Sequence, residues 1–242
     1  MTTLYFAPHQ DDELIVLGVD IAHQTELDQK NTHIWLCTDG SASCVHRCLA
    51  DGSRDCTLHN ELHNFPMTSQ EFTAARDREY RLSCACLGVL PENIHISPLR
   101  QKDQGLTAEA AEAIMLDAIS QLPAGEPVAI HTLSDFYPHR KQQDDHRNLA
   151  IAARNLLRAG KVRKVVLALE YEALLNCRET FPDTEFSDLH ADAREYPKLT
   201  AAAGAYRRWA PEEGFYAVGY HSCQHEFVAL LNDPRTVLHQ YE

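Results

Sequence analysis

The sequence predicts an α/β protein with a Rossmann-like, mostly parallel sheet and helices on both faces. Two observations carry that expectation. Short apolar runs suited to buried strands alternate with longer stretches that keep one helical face apolar, from residue 3 to residue 171. The chain is also large enough: 242 residues with 44% hydrophobic content can bury one sizeable core, so a single domain over residues 1–242 is expected.

The first apolar run, "TLYFAP" at 3–8, reads as a buried strand, and Leu14, Leu17, Gly18 and Ile21 then keep one helical face apolar. "HIWLCT" at 33–38 reads as the second strand and ends at the turn pair Asp39-Gly40. A long polar connection follows, a length that often marks a functional loop. Thr68 and Glu71 form the T-x-x-E signature of a capping box, and Phe72, Ala75, Leu82 and Cys86 mark one side of a helix that stops at Gly88. The alternation continues with a strand at 93–97, a helix over 107–122, a strand at 127–133, a helix over 145–159 and a strand at 164–171. Beyond that, 198–209 reads as a helix and 225–231 fits either type. No internal repeat or flexible linker interrupts the chain.

A formal net charge of −13 without a Lys/Arg cluster excludes the basic footprint that a nucleic-acid backbone or an anionic membrane surface requires. The N-terminus lacks the pattern of a secretory signal, and no apolar run reaches membrane-spanning length. A cytoplasmic location, no nucleic-acid partner and no membrane insertion are the expectation; a homo-oligomer is left open. Of the eight cysteines, Cys84, Cys86 and Cys177 fall in or near apolar segments and read as core. Cys44, His46, Cys48, Cys56, His59 and His63 instead crowd into one polar segment. His59 and His63 fit half of a zinc-site pattern without its matching half, so a solvated insertion with reduced thiols is expected ahead of a metal site or a disulfide.

Two clusters carry chemistry. "PHQDDE" at 8–13 places His9, Asp11, Asp12 and Glu13 in the turn after the first strand, where ligands of open α/β sheets sit. Helix-dipole stabilisation explains an acid there but not the histidine, nor the doubled aspartate, whose like charges repel without a cation nearby. The second cluster, "HTLSDFYPHRKQQDDH" at 131–146, brings Asp135, His139, Asp144, Asp145 and His146 to the corresponding end of another strand. Two His/Asp groups at one sheet edge are the makings of a mixed nitrogen and oxygen metal site.

These residues resemble the PIG-L/LmbE-like deacetylases. The family's AHPDDE-type motif is matched by "PHQDDE", with Gln10 in place of proline, and its H-x-D-H-type motif is matched imperfectly by "QDDH" at 143–146. "TDG" at 38–40 and the pattern of Arg76, Glu79, Leu87 and Gly88 are also similar. The resemblance implies a Zn2+-dependent hydrolase that removes an N-acetyl group from a small-molecule amino sugar or its conjugate. It implies His9, Asp12 and His146 as zinc ligands and Asp11 as general base. Two imidazoles and a carboxylate are a usual catalytic zinc set, which agrees. Glu13 reads as a first-turn helix acid. Arg76 reads either as a substrate clamp or as an i, i+3 ion pair with Glu79. Gln143 stands where the family has a histidine that supports the oxyanion; it can donate a hydrogen bond to substrate but supplies no proton. His139 either takes over that task or is a solvated loop residue. Asp145 is expected to orient its neighbours by a hydrogen bond. The rival readings are an amidase cleaving a thiol or peptide conjugate on the same metal centre, and a magnesium-binding receiver-like domain. His9 speaks against the latter, because magnesium prefers oxygen ligands.

Overall fold

The computed structural model describes residues 1–50, 56, 58–136, 144–170, 173 and 177–242. His139 and Gln143 lie outside the described residues.

The predicted alternation appears as β1 (Thr2–Ala7), α1 (Asp12–Ile15), α2 (Gly18–Asp28), β2 (Thr32–Thr38), α3 (Val45–Ala50), α4 (Ser69–Cys86), β3 (Ile94–Gln101), α5 (Ala108–Ser120), β4 (Val128–Leu133), α6 (Asp144–Arg158) and β5 (Lys164–Ala168). The chain continues through α7 (Cys177–Thr180), β6 (Ser187–His190), α8 (Tyr196–Arg207), β7 (Trp209–Ala210), β8 (Phe215–Tyr216), α9 (Val218–Asn232) and β9 (Arg235–Tyr241). The seven-stranded sheet runs β3-β2-β1-β4-β5-β9-β6. Its first five strands are mutually parallel, while β9 is antiparallel to both β5 and β6.

Alternate residues of the central strands divide two cores, as the pleat requires. Tyr5, Ile34 and Leu36 face Val19, Ile21, Tyr80, Leu199, Tyr206 and Phe227. Leu4, Phe6, Trp35 and Ile130 face Ile114, Met115, Leu149 and Leu156. The strands are buried on both faces, which is why they read as continuous apolar runs. The capping box is present: Glu71 N–H donates to the Thr68 hydroxyl at 3.2 Å and Thr68 N–H donates to the Glu71 carboxylate at 2.7 Å.

The structure differs from the sequence reading at two places and decides a third that the sequence left open. The buried side of α4 includes Arg76 and Glu79, whereas Leu82 and Cys86 are only half-buried, so two charged residues sit where an apolar stripe was expected. Segment 225–231 belongs to a helix, α9. Strand β9 carries Thr236 and His239 at buried positions, and this polar content hid a strand from a hydrophobicity pattern.

The strand order reverses direction between β1 and β4. In open α/β sheets the ligand crevice lies outside the carboxyl ends of the strands at that point. Both His/Asp clusters follow those two strands.

Candidate active site

β1 ends at Ala7, and Pro8 hands the chain to a tight turn pinned by Thr38, whose hydroxyl and N–H both donate to the Pro8 carbonyl at 2.7 and 3.1 Å. Asp11 then takes φ +133°, a region that a side chain with a Cβ rarely occupies and that costs about 1–3 kcal/mol. Neighbouring bonds hold it there. Asp11 N–H donates to Glu13 Oε2 at 3.0 Å, and the Asp11 carbonyl accepts from Leu14 and Ile15, both at 2.9 Å. Glu13 in turn accepts a 2.7 Å bond from the Tyr206 hydroxyl. Glu13 is fully buried and braces the turn, a role beyond that of a solvated first-turn acid.

The turn aims three potential ligand atoms at one another. His9 Nδ1 lies 3.1 Å from Asp12 Oδ2 and 3.1 Å from His146 Nε2, and His146 Nε2 lies 3.4 Å from the same Asp12 oxygen. The opposite nitrogen of each ring faces a carboxylate. His9 Nε2 is 3.1 Å from Asp145 Oδ2 and 3.2 Å from Asp103 Oδ1, while His146 Nδ1 contacts Glu170. Asp145 is itself held by the N–H groups of Gln104 and Leu106 at 2.8 and 3.0 Å. When each ring donates its outer N–H to a carboxylate, its inner nitrogen presents a lone pair to the shared point. Carboxylate partners of this kind fix the tautomer of metal-binding histidines.

Arg76 reaches the turn from α4. Its Nη2 donates to the Gln10 carbonyl at 2.6 Å and to Asp11 Oδ2 at 3.1 Å, and its Nη1 donates to the Gly40 carbonyl at 2.9 Å. Glu79 instead accepts from the N–H groups of Val218 and Gly219 at 2.9 and 3.2 Å, so Arg76 pairs with Asp11 and not with its i+3 neighbour. Gly40 is required at its position. At φ +63°, a Cβ there would meet Gln10 Oε1 at 2.2 Å and Arg76 Nη1 at 2.7 Å. Gln10, the departure from the family proline, donates to Asp77 Oδ1 at 2.8 Å and so ties the turn to α4.

Burial shapes the electrostatics. It pushes the Asp11 carboxyl up to about 7, against the pull of the Arg76 guanidinium and with the help of neighbouring Asp12. Burial also works to raise Asp12, but His146 and His9 outweigh it and hold Asp12 far below the usual carboxylate range. For His9, burial disfavours the cation, yet Asp103, Asp12 and Asp145 together raise its pKa well above the ordinary histidine value. A site so rich in carboxylates favours a positive charge at its centre.

These groups line a cavity of about 320 Å³, whose far wall comes from Ala42, Ser43 and Cys44 after β2 and from Ser222, Cys223, His225 and Glu226 on α9. Of the residues singled out in the sequence, the structure brings together His9, Asp11, Asp12, Arg76, Asp145 and His146. Sequence reasoning missed Glu170, Asp103 and Cys223. Glu170 and Asp103 follow β5 and β3 at the same sheet edge; Glu170 closes an apolar run, a usable signal, whereas Asp103 follows the polar end of β3 and had none. Cys223, whose Sγ is 3.9 Å from Asp11 Oδ2, had none.

Comparison with known proteins extends this picture. The fold matches a deacetylase of the teicoplanin biosynthetic pathway, solved as a triple mutant, with TM-score 0.63 and 15% identity over 100% of this chain and 98% of that one. It also matches GalB, the 4-carboxy-2-hydroxymuconate hydratase of Pseudomonas putida KT2440, with TM-score 0.56 and 18% identity over 100% and 97% of the two chains. One fold thus carries two chemistries, and the reaction has to be argued from the site. No protein of curated function matches the sequence. Residues 4–157, which hold β1 to β4 and both His/Asp clusters, match the family described as PIG-L, GlcNAc-PI de-N-acetylase. The chain therefore belongs to the PIG-L family.

Proposed function

We propose that the protein is a zinc-dependent hydrolase that removes the N-acetyl group from an amino sugar or its conjugate. It would hold the metal through His9, Asp12 and His146 and use Asp11 as general base. Family membership supports the hydrolase reading and leaves no ground for a magnesium-binding receiver.

The observation that carries the proposal is the convergence of His9 Nδ1, His146 Nε2 and Asp12 Oδ2, 3.1–3.4 Å apart. Three electron-pair donors aimed at one point repel unless a cation lies among them, and two nitrogens with one carboxylate oxygen suit zinc. When bound there, zinc would supply the charge that polarises an amide carbonyl and acidifies a water. The protein's own groups do the rest. Asp12, held ionised by two histidines, balances the metal's charge. Asp145 and Glu170 face the outer nitrogens of the two histidines and hold the rings correctly turned.

Asp11 faces the cavity without belonging to the convergent set. Burial places its pKa at about 7, so it can take a proton from the attacking water near neutral pH and deliver it to the departing amine. Water adds to the carbonyl carbon, the C–N bond breaks, and the products are acetate and a free amino sugar. Arg76 positions Asp11 through the 3.1 Å ion pair. Because Arg76 is 4% exposed and already engaged with three partners, we assign it to positioning in preference to a direct substrate clamp.

The test compares Asp11→Asn with Asp12→Asn, using metal content and acetate release from a panel of N-acetyl sugars. Asp11→Asn should keep its metal and lose about a hundredfold or more in kcat. Asp12→Asn should lose metal. Identical behaviour of the two variants would defeat the division of labour, and failure of the parent to release acetate from any member of the panel would defeat the substrate class.

A further inference from the structure

The long connection between β2 and α4 departs from the solvated insertion expected of it. Cys56 and His63 are 1% and 2% exposed. A turn closes the segment: Asn60 N–H donates to the Cys56 carbonyl at 2.7 Å with Asn60 at φ +54°, and Cys56 N–H donates to the Glu61 carbonyl at 3.0 Å. The turn brings Cys56, His59 and His63 to one side. The fourth member comes from the first turns of α9, more than 150 residues away in sequence: His221 Nε2 lies 3.0 Å from Cys56 Sγ.

Among these four side chains, each offers one ligand atom within 4.8 Å of all the others. Cys56 Sγ is 3.7 Å from His59 Nδ1, and His59 Nδ1 is 3.1 Å from His63 Nε2. Tetrahedral zinc with ordinary bond lengths sets its donors about 3.3–3.6 Å apart, and the separations of 3.0, 3.1 and 3.7 Å bracket that value. Their surroundings fit as well. His221 donates its other nitrogen to the Ala217 carbonyl at 2.7 Å, which leaves Nε2 with its lone pair facing the sulfur. Glu61 stands 3.5 Å from the outer nitrogen of His63. The His59 N–H donates to Cys56 Sγ at 3.3 Å, a bond that stabilises negative charge on sulfur. Trp209 packs against His59 and His63 with ring centroids 4.3 and 4.7 Å away, walling the cluster with apolar surface.

We propose that Cys56, His59, His63 and His221 form a second metal site that takes one zinc ion through one sulfur and three nitrogens. It is distinct from the His9, Asp12, His146 set, which contains no sulfur. Its role is structural, since all four tetrahedral positions are filled by protein and none is left for water or substrate. The site ties the connection that carries Ala42, Ser43 and Cys44 to the helix that carries Ser222 and Cys223, and these five residues belong to the far wall of the catalytic cavity. The sequence showed Cys56, His59 and His63 crowded into one segment. The fourth ligand was invisible because His221 arrives from another element.

The test exploits the single sulfur. Protein loaded with cobalt in place of zinc should show a thiolate-to-cobalt charge-transfer absorption in the near ultraviolet. The zinc-loaded parent should carry two metal ions per chain. Cys56→Ser should abolish the absorption and reduce the count to one, and His146→Ala should also reduce the count to one but retain the absorption. A fully loaded parent without the charge-transfer band would overturn the proposal without recourse to any variant. A band that persists in Cys56→Ser would equally overturn it, since it would place the thiolate elsewhere. In the parent, Cys56 should resist alkylation until a chelator is added; equal labelling with and without metal would count against the site.

Discussion

Glu170 faces the outer nitrogen of His146, and two substitutions there separate the charge of that contact from its geometry. His146 Nδ1 contacts the Glu170 carboxylate, and both side chains are nearly inaccessible, at 2% and 8% exposure for the residues. In Glu170→Gln the amide oxygen can still accept the Nδ1 proton, but the bond becomes neutral. Hydrogen bonds to charged groups contribute about 1.5–3 kcal/mol against about 0.5–1.5 for neutral ones, so the loss is roughly 1–1.5 kcal/mol. That is about tenfold in metal affinity. In Glu170→Ala this carboxylate is lost altogether and with it the orientation it gives the His146 ring, so the loss should approach a hundredfold. The assay is competition for zinc against a chromophoric chelator at fixed neutral pH, with a thermal melt to verify that each variant is folded. The graded order, parent tighter than Gln and Gln tighter than Ala, is the expected result. If both variants bound zinc within twofold of the parent, orientation of His146 by this carboxylate would be refuted.

Two further predictions concern pH and the Asp11 turn. Without metal, the raised pKa of His9 adds stability that is complete below about pH 6.5 and is lost as pH climbs through its higher folded-state value. Metal replaces the proton, so the gap in Tm between loaded and metal-free protein should widen as pH rises; a constant gap would contradict the placement of His9 among three carboxylates. Glu13 and Glu79, both pushed up to about 8 by burial, lose stability from about pH 4.5 upward in both forms and so do not create that gap. Gly40→Ala should lower stability by about 2 kcal/mol or more, because a Cβ at positive φ is strained and would also displace the Arg76 guanidinium. The same variant should lose kcat while retaining metal, and urea unfolding with unchanged midpoint and kcat would remove Gly40 from the account.

The fold was legible where burial made strands uniformly apolar: β1, β2, β4 and β5 each announce themselves in this way. β9 and β6 did not, because Thr236, His239 and the polar run Ser187–His190 satisfy sheet geometry without an apolar pattern. In the site, the convergence of His9, Asp12 and His146 could be anticipated because each follows a strand that ends at the same sheet edge. Arg76 and Glu79 were visible as residues but not as partners. Helical spacing suggested that they meet each other, whereas tertiary packing sends one to Asp11 and the other to the start of α9. The Cys/His cluster failed from sequence for a similar reason, since periodicity and spacing describe near neighbours and a site assembled across more than 150 residues has neither.

The interior position of β9 has a kinetic consequence. It pairs with β5 through Leu167 and His239 and with β6 through Leu189 and Thr236, so it must insert between two strands that precede it in the chain. Until it does, β5 and β6 each present an unpaired edge, the kind of surface that recruits strands from other chains. Contacts of such long sequence separation form late because loop closure must precede them. Refolding should therefore pass through a stage in which the parallel half of the sheet is assembled and the other half is exposed to association, and yield should fall with protein concentration for as long as that stage lasts.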